Sequence, residues 1–131
     1  MLTDKILEFI AGKDFAFVAT ANGAGVPHIA TARSLQADAN GQLIFENWFC
    51  LTTLENAAVN PQVAVVVADP ATGCGYQFIG RIVKFIDVAV LNGYAPELEK
   101  PGGPQALTSL TIQSDKVMEF SSVIHSDMQL P

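Results

Sequence analysis

From residue 15 onward the chain alternates short apolar runs with clusters of Asn, Gly, Asp and Pro: FAFVATA, NGAG, VPHIATARSLQAD, ANG and QLIFEN. Apolar runs of strand length, separated by Gly/Asn pairs, mark strands joined by tight turns. They predict three strands in an antiparallel meander. The stretch LTTLENAAVNP then predicts a short helix, which Pro61 ends by forcing Asn60 extended. A second strand pair follows in QVAVVVAD and YQFIGRIVKF around the turn PATGCG. Gly80 inside the latter predicts a bulge, a sharp bend or the close approach of another backbone. DVAVLNGYAPELEKPGGP predicts a broken helical crossover capped by Asp87, and ALTSLTIQSDKVMEF a last strand interrupted near Ser114 and Asp115. Ahead of all these, Thr3 as cap, Asp4 in the first turn, Ile6, Phe9 and Ile10 at helical spacing and Gly12 as stop predict a helix packed as a lid.

The elements add up to a mainly β chain with short α insertions, six strands in mostly antiparallel order. An open sheet of this size leaves edges exposed, and closure into a barrel removes them. The length of 131 residues is that of one domain, taken as residues 1–131.

Composition adds a partner and removes others. Half of the residues are hydrophobic, 15% are charged, and the mean hydropathy is +0.32, so apolar surface remains after one chain has folded. A homodimer is the simplest way to cover it. No apolar run approaches the roughly 20 residues that span a bilayer. Asp4, Glu8 and Asp14 interrupt the N-terminus where a signal peptide needs an unbroken apolar centre. A cytoplasmic protein without a membrane partner is expected. The net charge of −6 argues against a nucleic-acid partner, which would need clustered Lys and Arg. Cys50 and Cys74 are too few and too far apart for a zinc framework or a redox pair, and are expected to be reduced, partly buried thiols. No metal site is predicted, and the chain carries no phosphate-binding Walker loop or nucleophile elbow.

The candidate chemistry lies at the head of the second helix. The first N–H groups of a helix lack internal partners and carry partial positive charge. A helix entered through Thr52 and Thr53 offers hydroxyl and backbone donors together, which suits a phosphate. The plainer reading is that one threonine caps the helix and the other is solvated. Arg33 shares a strand face with Thr31, a cation beside a hydroxyl, and so makes half of an anion site. Arg81 and Lys84 differ in parity and share a face only if a bulge intervenes. Trp48, Phe49, Tyr76 and Phe78 are candidate walls for a planar ligand, or else core and interface. His28 and His125 read as structural or surface histidines, Glu46 as a solvated strand-end carboxylate or a proton relay, and Cys74 as a turn residue. No catalytic residue is assigned.

The order of FVATANGAGVPHIATA, TTLENAAVNPQVAVVV and GYQFIGRIVKF resembles the split-barrel flavin-binding family related to pyridoxamine 5′-phosphate oxidase, in its small bacterial FMN-binding form. The likeness is clearest over residues 15–85. It implies a six-stranded antiparallel split barrel, a homodimer, and one FMN at each of two inter-subunit sites. On this resemblance Thr31, Ala32, Arg33 and Ser34 line the flavin from the second strand, partly through backbone groups. Phe45, Glu46, Asn47 and Trp48 border the isoalloxazine ring; Thr52, Thr53 and Asn56 match a phosphate-side pattern like Lys-Thr-x-x-Asn; Gln77 approaches from the partner subunit. Thr52 stands where the family often has lysine, so Arg33 is expected to offset the phosphate charge. The implied function is an FMN-binding flavoprotein that passes electrons or hydride, with its redox partner unassigned. A true pyridoxamine 5′-phosphate oxidase is not expected, because such members use further basic residues including a C-terminal segment, and no Arg or Lys follows Lys116. The alternatives are a non-enzymatic ligand-binding or sensing module using the same cleft, and a haem-binding split barrel with His125 as axial ligand.

Overall fold

The computed structural model of the protein describes residues 2–87 and 105–131. The predicted crossover over residues 87–104 lies outside them, apart from Asp87, which ends a strand instead of capping a helix.

Helix α1, Asp4–Ala11, starts as its sequence dictates: Thr3 Oγ1 accepts a hydrogen bond from the Ile6 amide at 3.3 Å, and Gly12 closes the helix. Its inner face buries Ile6 and Ile10. Phe9 meets Tyr76 edge to face with ring centroids 5.2 Å apart, while the ammonium of Lys13 lies 4.7 Å above the Phe9 ring. The helix thus covers the body as a lid.

Seven strands follow: β1 Phe15–Ala21, β2 Pro27–Arg33, β3 Leu35–Ala37, β4 Gln42–Cys50, β5 Gln62–Ala68, β6 Gly75–Asp87 and β7 Gln105–Phe120. Helix α2, Leu51–Val59, links β4 to β5. The strands form one antiparallel sheet in the order β2-β1-β5-β6-β7-β4-β3. Its two ends, β2 and β3, are consecutive in the chain and joined through Ser34 alone. One bent strand therefore serves both edges and the sheet curls on itself as a split barrel. Counting β2 and β3 as a single strand recovers the six expected. Ser34 has φ of 62°, a left-handed conformation that costs a non-glycine residue about 1–2 kcal/mol and here lets the strand change partners.

The longest ladder, β6 with β7, carries two irregularities. At the first, Gly80 faces Ser114 with Asp115 left over, so the last strand is bulged at Asp115 rather than interrupted. A Cβ on Gly80 would stand 2.1 Å from the Gln113 carbonyl oxygen, which explains the glycine. At the second, Val83 is the extra residue; Arg81 and Lys84 then oppose Gln113 and Thr111, two positions on one face of β7. The bulge supplies the condition under which these two cations share a side.

Alternate residues of β1, β4, β5, β6 and β7 fill the interior, with Val18, Leu43, Phe45, Val65, Val67, Phe78, Leu110 and Ile112 buried. Each such side chain contributes about 1.5–3 kcal/mol by leaving water. Among the described residues no helix is long and apolar enough to cross a membrane.

Candidate functional site

The barrel is split between β2 and β4. These strands touch, yet no ladder joins them among the described residues. Leu35, Gln36 and Ala37 pair with Phe45, Ile44 and Leu43. β2 runs into β3 through Ser34, so residues 31–34 lie on the β2 side of the split and residues 45–48 on the β4 side. The two runs expected to line a cofactor, residues 31–34 and 45–48, therefore flank one opening.

Within it the residues divide by parity. Thr31, Arg33 and Ser34 are exposed, and Thr31, Arg33, Ala32 and Phe15 line an open depression of about 380 Å³. The Ala32 side chain is buried and turned inward, so only its backbone is available to a ligand. Phe45 is a core residue, opposite Leu35 and wholly buried, and supplies no wall. Glu46 is exposed; Asn47 and Trp48 pair with Thr108 and Leu107 across β4 and β7. Of the other aromatic candidates, Phe78 is in the core and Tyr76 packs on α1.

Helix α2 starts at Leu51, at the head of the predicted stretch. Its N-cap is Cys50, which makes no side-chain cap hydrogen bond, so neither threonine is the cap. Thr52 is exposed. Thr53 is wholly buried and its hydroxyl lies 3.2 Å from Cys50 Sγ. Asn56 is buried too and donates its amide to Thr20 Oγ1 at 3.1 Å. The Thr53 hydroxyl is thereby turned to the N-cap sulfur, and the Asn56 amide nitrogen ties α2 to β1. What remains for an anion is the first-turn backbone N–H groups with no side-chain cap, and the Thr52 hydroxyl.

Arg33 ends β2, away from the residue of that strand seen to meet the turn. On β2 the side chain that meets the helix head is His28, whose Nε2 is 3.8 Å from Cys50 Sγ. Arg33 is five residues further along the strand, about 16 Å at the usual rise, and faces the opposite side. By strand rise and parity alone, the base of this side chain stands away from the first turn of α2. The His28–Cys50 approach is invisible in sequence because 22 residues separate the two. The pair is brought together only by the fold, which carries β2 past the head of α2.

The outer face of the sheet is apolar. Thr31, Phe17, Val66 and Gln77 form one cross-strand row, and Ile29, Ala19, Ala64 and Ile79 the next. A groove of about 430 Å³ runs over them, lined by Phe17, Ala19, Ile29, Ala64, Val66, Gln77 and Phe120. Thr31 and Gln77 are three strand spacings apart, about 14 Å, so one chain does not bring them together.

Both cysteines are free and half-buried. The thiol of Cys74 is held below the ordinary cysteine range, first by the Ser121 hydroxyl at 3.5 Å and next by the Ser122 backbone. Among the described residues no cluster of three or more His, Cys, Asp or Glu side chains is placed to hold a metal ion.

No curated protein sequence is similar to the chain. Solved structures have its fold. HupZ of Group A Streptococcus superposes with a TM-score of 0.68 at 17% identity, covering 100% of both chains. An F420 reductase gives 0.62 at 15% identity over 88% of this chain and 98% of its own. HutZ, the haem storage protein of Vibrio cholerae, gives 0.60 at 14% over 91% and 94%. At such identities the likeness is one of fold. The family model described as pyridoxamine 5′-phosphate oxidase matches residues 2–120, and the chain belongs to that family of split barrels.

Proposed function

We propose that the protein binds FMN in the β2–β4 split as a homodimer and acts as a flavin-dependent oxidoreductase or electron carrier. The carrying observation is the head of α2, a helix start without a side-chain cap beside two strands that touch but share no ladder among the described residues. Its backbone N–H groups and the Thr52 hydroxyl would hold the phosphate. Thr31, Arg33, Ser34 and Glu46, all exposed around the opening, would supply polar contacts further along it. When bound, the flavin supplies the redox chemistry and the protein supplies position and polarity. No lysine is present at position 52, and Arg33 lies along the strand from the helix head, so phosphate affinity rests on amide dipoles.

The second copy would cover the outer apolar face, where Phe17 and Ile29 are 41% and 67% exposed. That seat brings Gln77 of the partner subunit toward the opening, which the same chain's Gln77 does not reach.

A haem ligand is the competing reading. His125 lines a groove of about 320 Å³ with Gln77, Phe120 and Ile124, and the HutZ neighbour is a haem storage protein. Offering the purified protein FMN and haem separately, then recording its absorption after gel filtration, tests the choice. Retained flavin bands support the proposal. A Soret band lost on His125→Ala, without retained flavin, replaces it with haem binding.

A further inference from the structure

We propose that Cys50 is a thiol switch at the head of α2, oxidised reversibly by hydroperoxides with His28 as its proton acceptor. The regulatory half of this inference rests on the flavin reading; the thiol chemistry does not.

Three features converge on one sulfur. Cys50 is the N-cap of α2, where the helix dipole favours negative charge. Its Sγ lies 3.8 Å from His28 Nε2 and 3.2 Å from the Thr53 hydroxyl, and the residue is half-buried rather than sealed. The other imidazole nitrogen, Nδ1, is buried without a partner, and Nε2 is the nitrogen turned toward the sulfur. An imidazole and a hydroxyl thus bracket a thiol on a half-buried residue.

In the oxidation step the Cys50 proton passes to His28 Nε2, and the thiolate attacks one oxygen of the hydroperoxide. An S–O bond forms as the O–O bond breaks, and sulfur gives up two electrons. The departing hydroxide or alkoxide takes the proton from His28 and leaves as water or alcohol. The product is a sulfenic acid. A small thiol reductant returns it to the free thiol, two reductant molecules leaving as a disulfide and the oxygen as water.

The added oxygen sits at the first turn of α2, where it competes with a phosphate for the same amides. Oxidation of Cys50 would therefore lower FMN affinity. Cys74 serves as an internal control, because its hydrogen-bond partners are Ser121 and Thr72 and include no imidazole.

The test uses the whole chain, hydrogen peroxide and a sulfenic-acid-specific carbon nucleophile, with each cysteine read by peptide mass spectrometry. Labelling of Cys50 is expected to slow at least about ten-fold in His28→Gln. Cys74 should label there at its original rate, which also reports that the variant is folded. Absence of labelling at Cys50, or an unchanged Cys50 rate in His28→Gln, overturns the thiol half. In Cys74→Ser, oxidised protein should bind FMN about three-fold or more weaker than reduced protein, with affinity restored by a small thiol. Equal affinities overturn the regulatory half alone. If neither form binds FMN, the flavin reading and the regulatory half fall together, and the labelling result still decides the chemistry at Cys50.

Discussion

Asn56 on α2 donates its side-chain amide to the hydroxyl of Thr20 on β1 at 3.1 Å, with both residues buried. The bond ties the helix to the barrel wall, and its loss strands a buried polar group. Asn56→Ala or Thr20→Val alone should destabilise the protein by about 1–3 kcal/mol in urea unfolding. The double variant Thr20→Val/Asn56→Ala should cost less than the sum, because it removes both partners together. Strict additivity would show that the two side chains are not coupled.

The glycine in β6 is a second test of the packing. Gly80→Ala would push a methyl group to 2.1 Å from the Gln113 carbonyl, so the β6–β7 ladder must shift at a cost of about 1–3 kcal/mol. At Gly23 an added methyl group would meet nothing within 4 Å, so alanine there should leave thermal unfolding nearly unchanged. Equal responses at the two positions would contradict the close approach at Gly80.

If a second copy covers the outer face, a charge there should separate the copies without unfolding either. Ile29 is 67% exposed in the single chain and lines the apolar groove. Ile29→Asp is expected to sediment as a monomer with an unchanged far-ultraviolet dichroism spectrum. A wild-type protein that is already monomeric at micromolar concentration, or a variant whose mass does not fall, would remove the interface from this face.

The Cys74 thiol offers a prediction in pH. Because Ser121 and then the Ser122 backbone stabilise its thiolate, the group ionises below the ordinary cysteine range. In a Cys50→Ser background, alkylation should rise with pH along a curve displaced to lower pH than that of a free cysteine peptide. Ser121→Ala should move the curve back upward. Coincidence of the Ser121→Ala and parent curves would rule out the hydroxyl as the cause.

Periodicity makes most of the fold legible. Strand alternation, the Thr3 cap and the Gly80 bulge all follow from residue type and local spacing. Ser34 is different: nothing in ATARSLQ announces a left-handed serine, since that strain is sustained by pairing with β1 on one side and β4 on the other. The head of α2 departs from its sequence signal for a related reason. Threonine is a preferred cap residue and cysteine is not, yet the helix begins ahead of both threonines, with Thr53 and Asn56 drawn inward to Cys50 and Thr20. Likewise, parity puts Arg33 beside Thr31, and only the path of β2 past α2 shows how far that pair stands from the helix head.

The flavin reading turns on whether the uncapped first turn of α2 receives a phosphate without help from a side-chain cation. Thr52 is exposed, so a lysine can be placed there without disturbing the core. Titration of FMN by fluorescence into the parent protein and Thr52→Lys measures this directly. The predicted result is saturable binding of one FMN per chain by the parent and affinity increased by roughly ten-fold, about 1.4 kcal/mol, in Thr52→Lys. Absence of saturable FMN binding by both proteins would contradict it.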